Sequence, residues 1–337
     1  MKKILTLWLI ICFLILVSPG EGVAVESVSL GMAVEFTNHA ACAYISLDKG
    51  WFKEEGLDIK SYESYITGMS LASALARGDI QVAYLCLIPA INVYANAQVP
   101  LKIVAGTHQH GYGLVVNPEK IKKINDLEKS YIRIGCIREG GAVDVLLHKI
   151  IDKFNLNKER VLKNIQRMNP SKQLLAFTLG QLEAVILPEQ WATMAESFGG
   201  NQMFLTSQDI WEDMQGSILV VKDELIAEYP EIVKSLVEVS QKATAWINKH
   251  PQESAEIMAR QLQRAGENLS LNEIIDDNTL IKMTPEILFQ SMSRLKYTTE
   301  IELPVIQETI DYIAELGYIR SSFRAEEILD LSFIREK

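Results

Sequence analysis

Apolar and polar positions in this chain switch between two periods, and the switch is clearest from Tyr65 to Asn92. Leu71, Ala72, Leu75 and Ala76 recur at helical spacing and predict a helix with one buried stripe. Thr67-Gly68 opens that segment, and Ser70 is placed to cap it. Gly78-Asp79 stops the helix, after which Ile80, Val82, Tyr84 and Leu85 predict a buried strand. The strand runs into Cys86-Leu87-Ile88-Pro89-Ala90, where Pro89 suits the first turn of another helix. Two helix N-termini therefore fall near one strand end, and such ends offer unpaired N–H groups to polar or anionic partners.

The same alternation continues on either side. Strands are predicted over 28–35, from about 57 to Ser64, and over 101–105, 114–116, 131–136 and 218–222. Helices are predicted over 40–52, 142–154 and 170–179, with a short one beginning at Ile124. The C-terminal third reads mostly as helix, over 230–248, 251–265, 285–294 and 304–316, each with Pro in its first turn. One unit occurs twice: ALARGDIQVAYLCLIP and AFTLGQLEAVILP both read helix, Gly turn, strand, Pro. Two similar α/β halves facing one another are expected, with ligands at the carboxyl ends of strands.

Composition narrows this picture modestly. Lys2-Lys3 followed by an apolar run from Ile4 to Val17 and small residues to Ala24 predicts a secretory leader over residues 1–22. The run is about 14 residues, short of the ~20 that a membrane span needs, and an uncleaved N-terminal anchor is the alternative. The remaining ~315 residues are too many for one core and suit two lobes. A formal charge of −10 without basic clusters argues against nucleic acid. Cys42, Cys86 and Cys136 follow the leader, an odd number for a compartment that favours disulfides.

The chain resembles the periplasmic substrate-binding proteins of ABC importers for nitrate, bicarbonate, taurine and alkanesulfonates, a family that also holds thiamine-pyrimidine binders. The resemblance rests on Asp48-Lys-Gly-Trp-Phe-Lys-Glu-Glu-Gly-Leu-Asp58, Leu75-Ala-Arg-Gly-Asp-Ile80, Val99-Pro-Leu-Lys-Ile-Val-Ala105 and Gly180-Gln-Leu-Glu-Ala184. Tyr229-Pro-Glu231 and Ala245-Trp-Ile-Asn-Lys-His-Pro251 extend it, so that it spans nearly all of residues 28–320. It implies an α/β, two-lobe periplasmic binding protein type II fold with the ligand cleft between the lobes. One lobe would hold residues 25–112 and 217–337, the other 113–216. It also implies a small-molecule ligand and, as partners, an ABC transporter permease with its ATPase, with no membrane contact except through them or an anchor.

Mapping strand ends onto such a cleft gives a candidate site. One side supplies Glu35, Asn38, His39, Cys42, Thr67, Gly68 and Cys86, and the hinge supplies His108 and His110. The other side supplies Cys136, Arg138, Glu139, Gly140, Gly141, Glu189 and Trp191. Gly140-Gly141 would let backbone approach a ligand at a helix start, and Trp191 or Tyr112 could stack on a flat one. Three carboxylates near strand ends disfavour a simple anion and favour a neutral or cationic nitrogenous ligand, such as an aminopyrimidine. The alternative for those glutamates is a solvated rim. The cysteines read as core or lining residues, as a disulfide, or, with His39, His108 and His110, as a soft metal site. No close CxxC or HxxxH spacing supports the last, and no cofactor or catalytic residue is expected.

The expected function is reception of a small polar solute by hinge closure, not catalysis, the solute being a nitrogenous heterocycle such as a thiamine pyrimidine precursor or else a sulfonate- or nitrate-type anion. A pyrimidine-precursor synthase on the same fold and a sensor domain are the rivals. The chain lacks a clustered cysteine run of the first, and GxSxG, HExxH and Walker patterns are absent.

Overall fold

A computed structural model describes residues 29–269, 271 and 283–334; the expected leader lies outside them. Twelve strands are described: β1 (Ser29–Glu35), β2 (Asp58–Tyr65), β3 (Val82–Cys86), β4 (Leu101–Gly106), β5 (His108–His110), β6 (Tyr112–Val116), β7 (Ile134–Cys136), β8 (Ile165–Arg167), β9 (Ala184–Pro188), β10 (Gln202–Thr206), β11 (Ser217–Lys222) and β12 (Leu295–Tyr297). They form two five-stranded sheets, β2-β1-β3-β11-β4 and β10-β6-β9-β7-β8, and a small ladder of β5 with β12.

The two sheets share one plan. In the first, β2, β1 and β3 run parallel while β11 is antiparallel to both β3 and β4. In the second, β8, β7 and β9 run parallel while β6 is antiparallel to both β9 and β10. The repeated sequence unit occupies equivalent places, as helix Gly68–Arg77 with β3 and helix Pro170–Thr178 with β9. Each antiparallel strand is the one on which the chain enters its sheet from the other sheet.

Strands β1, β3, β9 and β11 are almost wholly buried, as expected when helices cover both faces. Alternation splits their side chains between two apolar layers. Leu30, Met32, Val34 and Tyr84 face helices Ala41–Lys49 and Pro230–Lys249. Ala33, Ala83, Leu85 and Val220 face helices Gly68–Arg77 and Leu87–Ala97.

Several boundaries differ from expectation for local reasons. Thr67, not Ser70, caps helix Gly68–Arg77, its side chain accepting the Ser70 N–H. Helix Leu87–Ala97 starts from Cys86, so Pro89 falls in its first turn rather than at its first residue. The predicted helix 40–52 is a 3-10 turn at Asn38–Ala40 and two helices, Ala41–Lys49 and Trp51–Glu54, broken at Gly50 with φ +74°.

Two passages of chain join the sheets. Residues around β5 carry the chain from β4 to β6, and residues from Thr206 to Ser217 bring it back to β11. They are stitched together by His110 N–H to Met214 O (2.9 Å), Gly216 N–H to His108 O (3.1 Å) and Thr107 N–H to Ser217 O (3.0 Å). β12 pairs along the other edge of β5. His110 and Gly111 take left-handed φ of 68° and 87° where the first passage turns into β6.

Candidate ligand-binding site

β1 ends at Glu35, whose side chain lies across two helix starts. Its Oε1 accepts the N–H of Gly68 (2.9 Å), and its Oε2 accepts that of Cys86 (3.1 Å). Gly68 is the first residue of its helix and Cys86 the N-cap of the next, so one carboxylate meets two positive helix ends. Burial pushes the Glu35 carboxyl up, while Cys86 and the two N–H donors oppose the shift. A Cβ at Gly68 would stand 2.9 Å from Pro89 Cγ and 3.0 Å from Glu35 Oε2, which accounts for glycine there.

Beyond Glu35 the chain turns through the Asn38–Ala40 turn, capped by Thr37. His39 is fully buried and reaches Gly111, the carbonyl of which accepts both His39 Nε2–H (2.6 Å) and the Glu189 N–H (2.9 Å). Burial lowers the His39 pKa to about 3, so the ring is neutral. With Nε2 donating, Nδ1 carries a lone pair. The His39 ring also lies 4.3 Å from His108 and 4.9 Å, edge-on, from Tyr112. Tyr112 Oη meets Cys86 Sγ at 2.9 Å, joining the end of β3 to the start of β6.

The second sheet faces this group with helix Glu189–Glu196, which follows β9. Gln190 Oε1 accepts the Asn38 N–H (3.3 Å) and its Nε2 donates to Phe36 O (3.0 Å). Trp191 packs its ring 6.0 Å from Phe36. Glu189 Oε1 accepts from Arg294 Nη1 (3.1 Å) and Thr193 Oγ1 (3.1 Å). Burial nevertheless raises its pKa to about 7, outweighing Arg294. Asn38 gives its Nδ2 to Ser291, and Tyr297 Oη donates to Asn38 O (3.1 Å).

Four buried polar atoms in this seam lack a hydrogen-bond partner: Asn38 Oδ1, His39 Nδ1, Glu189 Oε2 and Trp191 Nε1. Leaving such groups unpaired costs about 1–3 kcal/mol each. Three are acceptors, counting the ionised carboxylate, and the indole N–H is a donor.

The structure brings Glu35, Asn38, His39, Gly68, Cys86, Glu189 and Trp191 to this seam, and places the other candidates differently. Cys42 lies in the core beneath helix Ala41–Lys49, because the chain turns before that helix starts and the thiol points inward. Cys136 is the buried last residue of β7 and likewise belongs to the core. Burial raises both thiols to about 12, and the three described cysteines are buried and free, as core residues are. His108 is not turned to a ligand: Nδ1–H donates to Gln109 O (3.2 Å) and Nε2 accepts the Ser217 N–H (3.0 Å). His110 sits in β5 against β12. The Thr67 hydroxyl is occupied as a helix cap. Arg138 and Glu139 are exposed, while Gly140 O accepts Asn92 Nδ2 (3.0 Å) and Gly141 caps helix Ala142–Lys153. Trp191 is enclosed against Phe36 rather than open for stacking, with no exposed surface. Among the described residues no three His, Cys, Asp or Glu side chains are grouped to hold a metal ion.

Sequence reasoning passed over Gln190, Ser291, Arg294 and Tyr297. Gln190 was findable as the neighbour of two strand-end candidates, whereas the other three reach the seam only through tertiary packing.

The sequence matches the NMT1-like family over residues 23–263. It is 26% identical over 246 residues to a binding protein of Brucella abortus (strain 2308), covering 71% of this chain and 74% of that one. The fold is similar to the alkanesulfonate-binding protein SsuA from Xanthomonas axonopodis pv. citri, solved with MOPS bound, with TM-score 0.74, 14% identity, and coverage of 91% and 99% of the two chains. It is also similar to the nitrate-binding protein NrtA from Synechocystis PCC 6803, with TM-score 0.71, 14% identity, and coverage of 91% and 87%. The architecture is thus the two-lobe periplasmic binding protein fold.

Proposed function

The chain belongs to the NMT1-like family, and on that footing we propose that it is the exported solute receptor of an ABC importer, working with a permease and its ATPase and taking a nitrogenous heterocycle of the aminopyrimidine class. The observation that carries the ligand class is the set of unpaired buried acceptors, Asn38 Oδ1, His39 Nδ1 and Glu189 Oε2, with one donor, Trp191 Nε1–H. An amino-substituted ring offers several N–H groups and a ring acceptor, which complements that set. A nitrate or sulfonate offers acceptors alone and would face two carboxylates, Glu35 and Glu189.

Asn38 and His39 stand on the first sheet's side, Glu189 and Trp191 on the second's. A solute touching both stabilises the closed arrangement over the open one, which is the differential contact that hinge closure requires. A titration of the mature protein with aminopyrimidines, alkanesulfonates, nitrate and divalent cations, read by melting temperature and calorimetry, tests the reading. Aminopyrimidines should bind, and Asn38→Ala or Glu189→Gln should weaken them about tenfold or more, the weight of one or two buried hydrogen bonds. Preferential binding of a sulfonate or nitrate overturns it.

A further inference from the structure

We infer that Glu35 is a specificity-determining residue: its carboxylate is a tethered anion that fills the paired helix starts at the ends of β1 and β3 and thereby bars small oxyanions from that position. The inference rests on the solute-receptor reading above and adds the means of selection to it.

Both carboxylate oxygens are engaged, each by one backbone N–H, at 2.9 Å and 3.1 Å. The donors begin helices of 10 and 11 residues, each long enough to present a positive end. Two N–H groups on two oxygens of one anion is the contact pattern a bound nitrate, carboxylate or sulfonate would make at such a place. Here the anion comes from the chain itself, at the last residue of a buried strand. The fit is close, since a Cβ on Gly68 would stand 3.0 Å from Oε2. The residue is 5% exposed, so no solvent route replaces the carboxylate while it is present. An incoming oxyanion would have to displace a covalently held competitor of the same charge, whose effective concentration is that of an intramolecular group. A ligand with N–H groups meets no such competitor.

Glu35→Ala removes the tethered anion and leaves both N–H groups to an external one. Melting temperature and calorimetry with formate, nitrate and methanesulfonate, on wild type and variant, provide the test. Wild type should show no stabilisation by these anions. Glu35→Ala should bind at least one of them at least about tenfold more tightly than wild type, a gain of ~1.4 kcal/mol. Glu35→Asp keeps the charge and should keep the anions out. If Glu35→Ala does not fold alone, its recovery on refolding in formate or nitrate, and not in a non-coordinating buffer, supports the inference. A folded Glu35→Ala with wild-type indifference to all three anions overturns it, as does failure to recover in any of them. Wild-type binding of aminopyrimidines is scored separately. If it is present while Glu35→Ala gains no anion, only the role of Glu35 falls; if it is absent while Glu35→Ala gains one, only the ligand class falls.

Discussion

Glu189 shows how one side chain can couple the seam to pH. Its carboxyl titrates near 4.5 when exposed and at about 7 when folded, because burial outweighs the nearby Arg294. The folded state therefore holds its proton more tightly than the unfolded one. Its contribution to stability is full below about pH 4.5 and is lost as pH rises through about 7, on the order of 3 kcal/mol across that window. Glu189→Gln stays neutral at every pH. The stability of Glu189→Gln relative to wild type should therefore rise steadily from pH 4.5 to 7 and level off above it. Parallel urea-denaturation curves for the two proteins at a series of pH values check this; a constant difference would show that Glu189 is ionised throughout. Binding of an N–H donor runs in the opposite sense, since it draws on the carboxylate and weakens as pH falls below about 7.

At the level of elements, the hinge passages depend on close packing around His108. Its ring lies against Gly216, where a Cβ would come within 2.0 Å of Cε1 and 2.4 Å of Nδ1. Both ring nitrogens are hydrogen-bonded inside the strap, and burial holds the ring neutral. Gly216→Ala should destabilise the fold by about 1–3 kcal/mol through overpacking. His108→Ala should also destabilise it, by leaving the Ser217 N–H unpaired. The double variant should cost less than the sum, because removing the ring makes room for the methyl; additive losses in a denaturation cycle would mean that the two do not share space. These elements also mark where sequence reading reached its limit. β1, β3, β9 and β11 were legible because apolar runs between turn residues have few other readings. β5 and β12 were not, since His108 pairs with Tyr297 far along the chain and neither three-residue strand carries a pattern of its own. Asn38, His39 and Glu189 stood out because each follows a recognisable strand. Cys42 was misplaced because the helix holding it starts after a separate turn that changes which way the thiol faces.

Across the whole molecule, the seam is closed by a few bonds whose members come from distant parts of the chain. Helix Pro285–Met292 packs both on helix Pro251–Asn268, in the first sheet's layer, and on helix Glu189–Glu196 of the second. Arg294, just beyond it, spans the join: Nη1 to Glu189 Oε1 at 3.1 Å, Nη2 to Glu196 Oε2 at 2.7 Å. Gln290 reinforces it through Glu196 Oε2 at 3.2 Å. Glu189 is 1% exposed, so losing its counter-charge leaves a buried carboxyl to be protonated or rehydrated. Removing one partner of a buried pair costs about 3–5 kcal/mol. The cost is smaller here, because Arg294 keeps 22% of its side chain in water. Part of it is recovered if the sheets separate and water reaches Glu189, so the closed arrangement loses ground to an open one. Arg294→Met, which keeps the aliphatic stem, should increase the radius of gyration in X-ray scattering and speed hydrogen exchange along Glu189–Glu196, with the exchange of β1 and β3 unchanged. A saturating ligand that touches both sides should restore the compact profile. Unaltered scattering and exchange would reduce Arg294 to a surface ion pair and move the work of closure to the Gln190 bonds with Phe36 and Asn38.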